Sequence, residues 1–239
     1  MGDDTGADNR EGFRVLGLIP ARKGSKSIQY KNRAELGNKP LYGHVLDAAR
    51  ACTDLDEIII STNDIGLMYA KHPEASVRPD HLCTDDSPII DTMRFHSEGF
   101  DAIALLQPTS PFVQPETIDD CIRILKYSPT ANSIQTITTI PHNHHAYNQR
   151  TFVGGHVEFK LKLLREGMYN KQLKPQLYCF GNLVVTRTSA LDKGVFAEPS
   201  IGVMIPRDEA IDIDTQEDLD YAQRIIPTRE DQPNQGNQE

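Results

Sequence analysis

Three short runs limit what this chain can fold into. They are Val15-Leu16-Gly17-Leu18-Ile19-Pro20, Glu57-Ile58-Ile59-Ile60-Ser61-Thr62 and Asp101-Ala102-Ile103-Ala104-Leu105-Leu106. Each is apolar at successive positions rather than at alternate ones. That pattern marks a strand covered on both faces, as in a parallel sheet. Between them Leu41, Val45, Ala48 and Ala49 show helical spacing over 41–51. Pro115-Glu116-Thr117 opens a second helix that runs to about Lys126, with proline near its first turn. Ser133–Ile140, Leu183–Thr186 and Gly202–Ile205 read as further strands, and Glu217–Ile225 as the last helix, with Asp214 and Thr215 as candidate caps. Residues 142–165 read as a β-excursion turning at Gly154-Gly155. Alternating strands and helices imply an α/β fold, a Rossmann-like doubly wound sheet that is mostly parallel. Ligands of such sheets sit beyond the carboxyl ends of the strands. That points to the loops after Ile19, Thr62 and Leu106.

The chain has 239 residues, 38% of them hydrophobic, enough for a real core in one large domain or two small ones. No repeat or linker divides it. Residues 1–12 read as a flexible leader, 13–226 as the folded domain and 227–239 as a disordered tail. Asp and Glu outnumber Lys and Arg by 34 to 25, a net charge of −9, which argues against general binding to nucleic acid or anionic membranes. No apolar run reaches the roughly 18 residues needed to span a bilayer. The acidic start MGDDTGADNREGF is not a secretory signal. Cys52, Cys83, Cys121 and Cys179 are scattered without a CxxC pair, which fits a reducing cytoplasm.

Three segments carry the chemistry. Pro20-Ala21-Arg22-Lys23-Gly24-Ser25-Lys26-Ser27-Ile28-Gln29-Tyr30-Lys31-Asn32 follows the first strand. Its small residues let backbone N–H groups approach an anion, and its four cations suit a polyphosphate. It matches neither GxxxxGK[ST] nor GxGxxG. A solvated basic loop is the plainer reading. In Ile211-Asp212-Ile213-Asp214-Thr215, two acids one residue apart on extended chain point the same way, an arrangement suited to Mg²⁺ shared with phosphate oxygens. The alternative is that Asp214 only caps the last helix. Leu106-Gln107-Pro108-Thr109-Ser110-Pro111 places an amide and hydroxyls at a strand end, either for ligand binding or as a plain turn.

Five stretches in order carry a resemblance: IPARKGSKSIQYKN at 19–32, ISTND at 60–64, RPDHLCTDDS at 78–87, LLQPTSP at 105–111 and IDIDTQEDL at 211–219. Over about residues 14–226 the chain resembles the acylneuraminate cytidylyltransferases, the CMP-sialic acid synthetases and their CMP-nonulosonate and phosphonate relatives. The resemblance implies that 13–226 is a cytidylyltransferase domain that moves CMP from CTP to an acidic, sialic-acid-like acceptor and releases pyrophosphate. It implies CTP phosphates at Ala21, Arg22, Ser25 and Lys31, and ribose near Asn32. Cytosine would lie near Arg78 and Ser87, and Mg²⁺ on Asp212 and Asp214. Arg22, Lys31 and Asp214 are the catalytic set. The excursion, about 142–172, would serve as the dimerisation arm of a homodimer.

One stretch departs from the family pattern. Where sialic acid enzymes carry Arg-Arg-Gln-Asp and then Asn-Gly-Ala, this chain has Tyr169-Asn170-Lys171-Gln172-Leu173-Lys174-Pro175 and then Cys179-Phe180-Gly181-Asn182. Lysine offers a charge without the guanidinium fork. The expected acceptor contacts are therefore Gln107, Lys171, Lys174 and Phe180, and a small phosphonic acid is the alternative acceptor. A non-catalytic nucleotide-binding module is the second alternative, opposed by the intact Arg22, Lys31, Asp212 and Asp214. His142, His144 and His145 read as an exposed loop on the excursion rather than a metal site, and His96 as a packing residue. Tyr147, Phe152 and Phe159 are expected to pack against a partner subunit.

Overall fold

The structure, a computed structural model, describes residues 12–70, 72–168 and 170–230. The strands are β1 (Val15–Pro20), β2 (Glu35–Leu36), β3 (Lys39–Pro40), β4 (Glu57–Thr62), β5 (Ala75–Val77), β6 (Ala102–Leu106), β7 (Ser133–Thr139), β8 (Arg150–Val153), β9 (His156–Phe159), β10 (Tyr178–Arg187) and β11 (Ser200–Met204). The helices are α1 (Leu41–Ala51), α2 (Ile65–Tyr69), α3 (Ile89–Phe95), α4 (Pro115–Tyr127), α5 (Lys162–Arg165) and α6 (Gln216–Glu230). Seven strands form the main sheet in the order β11-β7-β10-β6-β1-β4-β5. β1 pairs in parallel with both β4 and β6, β4 with β5, and β7 with β11. β10 alone runs antiparallel, between β6 and β7.

The uninterrupted apolarity of β1 has a direct cause. Val15 and Ile19 face one side of the sheet and pack with Val45 and Leu46 of α1 and Ile118, Ile122 and Leu125 of α4. Leu16 and Leu18 face the other side, against Met93 of α3, Leu191 and the β6 residues Ile103 and Leu105. A third cluster seats α6: Leu219, Ala222 and Ile226, on one helical face, meet Leu36, Leu41 and Ile213. The chain leaves β1 toward β4 on one side and reaches β6 on the other. The carboxyl end of β1 is therefore the switch point where a cleft opens in sheets of this kind.

The expected strands and helices are present, with differences in where some of them begin and end. β10 begins at Tyr178, five residues before the apolar run, because its exposed first residues still pair with β7 before the register shifts between Phe180 and Val184. At Gly181 a Cβ would come within 2.6 Å of Thr136 Oγ1 and 2.7 Å of Ile205, so only glycine fits. α6 continues four residues past the boundary at 226. The expected leader, apart from Gly12, and the tail from 231 onward lie outside the described residues. The excursion is a separate β8–β9 hairpin whose Gly154 and Gly155, at φ 58° and 84°, make the two-residue turn.

One buried carboxylate fastens the α1–β4 connection. Asp119 of α4 accepts from Cys52 Sγ at 2.6 Å, Thr53 N at 2.9 Å, Thr53 Oγ1 at 3.0 Å and Asp54 N at 2.8 Å. Burial alone would raise its pKa, but these donors together outweigh burial and hold it below the usual carboxylate range. Burial, with Asp119 beside it, pushes the Cys52 thiol up to about 12. Asp119→Ala should destabilise the fold by about 2–4 kcal/mol at neutral pH, because buried donors lose their acceptor. Since the native pKa is lowered, this stabilisation is complete above the ordinary carboxylate pKa and fades as pH falls through the native value. Melting curves of wild type and variant from neutral to acid pH should therefore converge at the acid end.

Candidate active site

The loop after β1 is pinned at both ends. Buried Ala21 donates its N–H to Ser61 O at 2.9 Å, and its carbonyl accepts from Thr62 Oγ1 at 2.5 Å. Ala21 thus anchors the loop without lining the cleft. Asn32 Nδ2 closes the loop on Arg22 O at 2.8 Å, and Asn63 Oδ1 accepts from Lys23 N at 2.9 Å. Tyr30 sits at φ 52°, a strained conformation for a bulky side chain, at the turn that delivers Lys31.

A cleft of about 320 Å³ opens there. Arg22, Ser25, Lys31 and Asn32 line it from the loop, Arg78 and Ser87 from the segment after β5, and Gln107 and Thr109 from the turn after β6. The two stretches expected to meet CTP thus share one cavity with Gln107, an expected acceptor contact. Thr84, Asp85 and Thr109 join them; the acids of RPDHLCTDDS were the signal for Asp85. Ser87 Oγ donates to His81 O and shares a 2.6 Å contact with Thr84 Oγ1.

Arg22 Nη1 meets Asp85 Oδ1 at 2.6 Å, and Lys26 Nζ meets Asp85 Oδ2 at 2.8 Å. Lys31 Nζ meets Asp214 Oδ1 at 2.8 Å. Arg78 is different. It is 4% exposed, and its guanidinium donates to backbone carbonyls, from Nη2 to Ser61 O at 2.6 Å and from Nη1 to Leu82 O at 3.5 Å. Its Nε is a buried polar atom with no hydrogen-bond partner. Burial lowers the Arg78 pKa from its usual value. His96 Nε2 lies 2.8 Å from Ser61 Oγ, and burial first, then the Arg78 charge, lowers its pKa. The histidine packs and bonds beneath the cleft, as a packing residue should.

The acid pair is set by the residue between its members. Ile213 is fully buried and donates its N–H to Thr109 O at 2.8 Å, so Asp212 and Asp214 project together away from the core. Desolvation first, then the Asp214 charge, raises the Asp212 pKa, against a hydrogen bond from Thr109. Asp212 keeps solvent contact. The cap of α6 belongs to Thr215. Its hydroxyl accepts from Asp218 N at 3.2 Å, and Asp218 Oδ2 accepts from Thr215 N at 2.8 Å. Asp214 is left free of capping. Two adjacent carboxylates fit Mg²⁺, which takes one or two protein carboxylates and completes its shell with water and phosphate. Among the described residues no group of three or more His, Cys, Asp or Glu side chains offers a closed metal cage.

The expected acceptor contacts divide. Gln107 lines the cleft. Lys174 does not: its Nζ donates to Asn148 Oδ1 at 2.7 Å, an oxygen shared with Arg165 Nη1 at 2.9 Å at the base of the excursion. Phe180 does not line it either, but stacks edge-on against Phe196 at 5.1 Å and packs on the Leu16–Leu18 side of the core. Both lie on a stretch whose path from the excursion into β10 has no periodic signal in sequence. Lys171 falls in a short helical turn, Lys171–Leu173, and its side chain lies outside the described residues. His145 is buried rather than exposed, with Nε2 2.9 Å from Pro175 O and Nδ1 accepting from Tyr147 N at 3.2 Å, so it ties the excursion's base together. The guanidinium groups of Arg150 and Arg165 both lie over the Phe159 ring, 4.5 Å and 4.0 Å from its centroid.

The sheet and its basic cleft at the switch point define the class, a Rossmann-like α/β domain with a mostly parallel sheet. Residues 16–154 match the Cytidylyltransferase family, and the chain belongs to it. It is 38% identical over 143 residues to the CMP-N,N'-diacetyllegionaminic acid synthase of Legionella pneumophila, a match covering 54% of this chain and 59% of that protein. It is 22% identical over 217 residues to the N-acylneuraminate cytidylyltransferase of Escherichia coli, covering 87% of this chain and 51% of that one. The chain spans about half the length of these curated relatives. In fold it is similar to a CMP:2-keto-3-deoxy-manno-octonic acid synthetase complexed with CTP, with a TM-score of 0.67 at 14% identity, covering 90% of this chain and 99% of that one.

The division of labour at 214–218 has a measurable consequence. Thr215→Ala should lower stability by about 1 kcal/mol, as the loss of a cap does. Asp214→Ala should lower it by less than about 0.5 kcal/mol, since an exposed ion pair contributes little. Urea melts of the two variants separate these outcomes.

Proposed function

We infer that this chain transfers CMP from CTP to an acidic, sialic-acid-like nonulosonic acid, releasing pyrophosphate. The observation that carries the reading is one cleft that runs from Arg22 and Lys31 of the cationic loop to Arg78 and Ser87. Arg78, held by the backbone carbonyls of Ser61 and Leu82, offers a fixed donor to a base edge. Cytosine offers O2 and N3 as acceptors, whereas uracil places an N–H at N3. Ser87 supplies a further polar contact to the base, and Asn32, fixed against Arg22 O, lies near the ribose. Arg22, Lys31 and the backbone at Ser25 hold the phosphates, and Ala21 sets the height of the loop. The relatives' names support the acceptor: they are synthases of CMP-legionaminic acid and CMP-sialic acid.

The chemistry asks mainly for positioning and charge. An acceptor hydroxyl, oriented by Gln107, attacks the α-phosphorus in line, and pyrophosphate leaves along the cationic loop. Asp212 and Asp214 are the residues to hold Mg²⁺, which when bound offsets phosphate charge. Lys31, 15% exposed against 68% for Asp214, is the sheltered partner of their pair and keeps its cation facing the cleft. The excursion supports a homodimer: Phe152, Val153, Val157 and Leu163 are exposed on β8, β9 and α5. Four free cysteines support a reducing cytoplasm. No helix among the described residues is long and apolar enough to cross a membrane.

Titration calorimetry with Mg²⁺ should rank CTP above UTP, ATP and GTP, and equal affinities would overturn the reading of Arg78. Pyrophosphate release from CTP should require a nonulosonic acid. Release with small phosphonates alone would move the acceptor to the phosphonate class, and no release with either would leave a binding module. Asp214→Ala should cut kcat by at least about 100-fold while the melting temperature holds.

A further inference from the structure

Asp85 is not among the residues to which any role at the cleft has been given. Its two carboxylate oxygens are each claimed by a cation of the loop, Oδ1 by Arg22 at 2.6 Å and Oδ2 by Lys26 at 2.8 Å. Arg22 also reaches Cys83 O on the same segment at 3.4 Å. The segment is held in shape: Leu82 is buried, Cys83 N bonds Asp80 O, and Thr84 and Ser87 share a hydroxyl contact. Asp85 is therefore presented to the loop by a built turn.

Two oxygens of one carboxylate bridging a guanidinium and an ammonium reproduce what two oxygens of a phosphoryl group would do there. We propose that Asp85 is a built-in competitor for the phosphate subsite, holding Arg22 and Lys26 until a polyphosphate displaces it and reclaiming them as pyrophosphate leaves. The proposal rests on the reading of the 20–32 loop as the phosphate site. The geometry makes the exchange inexpensive. The Asp85 side chain is 40% exposed and that of Lys26 83%, so water solvates each as the pair parts. Lys26 and Arg22 hold the Asp85 carboxyl below its usual range, so the competitor is charged at neutral pH. A polyphosphate wins because it brings more charge to the same two cations. Cytidine, with no phosphate, leaves the contact in place.

The test uses Asp85→Asn, which keeps the shape and removes the charge. Inorganic pyrophosphate alone and CTP should both bind about 3- to 10-fold more tightly than to wild type, the size expected for losing two exposed ion pairs. Cytidine should bind as before, and product inhibition by pyrophosphate should strengthen. Asp86→Asn makes the same change of net charge one residue along, outside the ion-pair cluster, and should leave all three affinities unchanged. Unchanged or weaker pyrophosphate binding in Asp85→Asn overturns the proposal, because Asp85 would then organise the cations rather than compete for them. An equal gain in Asp86→Asn overturns it too, in favour of a general field effect. A wild-type protein that binds neither pyrophosphate nor CTP fails differently: it removes the phosphate reading of the loop itself.

Discussion

The active end of this protein depends on how β1 hands the chain to its loop. Ser61 O takes the Ala21 N–H and Thr62 Oγ1 donates to the Ala21 carbonyl, so the first loop residue continues the β1–β4 pairing by one step. Ser61 O also accepts from Arg78 and Ser61 Oγ meets His96. One residue at the end of β4 therefore sets the height of the cationic loop, the position of the buried guanidinium and the packing of the helix beneath. All of this sits where the connections of the sheet diverge on either side of β1, so the cleft is open by topology rather than by any missing side chain.

Electrostatics follow from that placement. The chain as a whole carries a net charge of −9, yet one cleft gathers Arg22, Lys31 and Arg78, with Lys26 at its edge. Acids drawn from distant parts of the chain balance three of these: Asp85 from the segment after β5 and Asp214 from the approach to α6. The pairs of Asp85 are solvated and contribute little to stability, whereas Lys31 is the sheltered member of its pair with Asp214. Arg78 differs from all of them: it is buried and held by backbone carbonyls.

The approach to α6 shows how packing divides roles among neighbours. Ile213 is drawn into the cluster of Leu36, Leu41 and Leu219, and its burial turns the flanking acids the same way. Thr215 and Asp218 satisfy the first N–H groups of the helix between them, so the carboxylate of Asp214 is not consumed by capping. A hydrophobic anchor, a cap and a charge are thus carried by three consecutive residues.

The sequence by itself determined the sheet and most of the cleft. Runs such as Val15–Pro20 are apolar because both faces are covered, and burial on both faces leaves a mark at every position. The cationic loop, Asp212, Asp214 and Gln107 were legible for a related reason: each lies within a few residues of a strand end or helix start that the pattern locates. The tertiary structure alone decided what the chain brings together across long separations. The 63-position separation of Arg22 and Asp85 hides their ion pair, since charge pairing leaves no periodicity. It also decided that β10 starts at Tyr178, that Lys174 stays with Asn148 on the excursion and that Phe180 turns to the core. Those three lie on a mixed polar stretch with a register shift, where no repeating burial pattern records which way a side chain points.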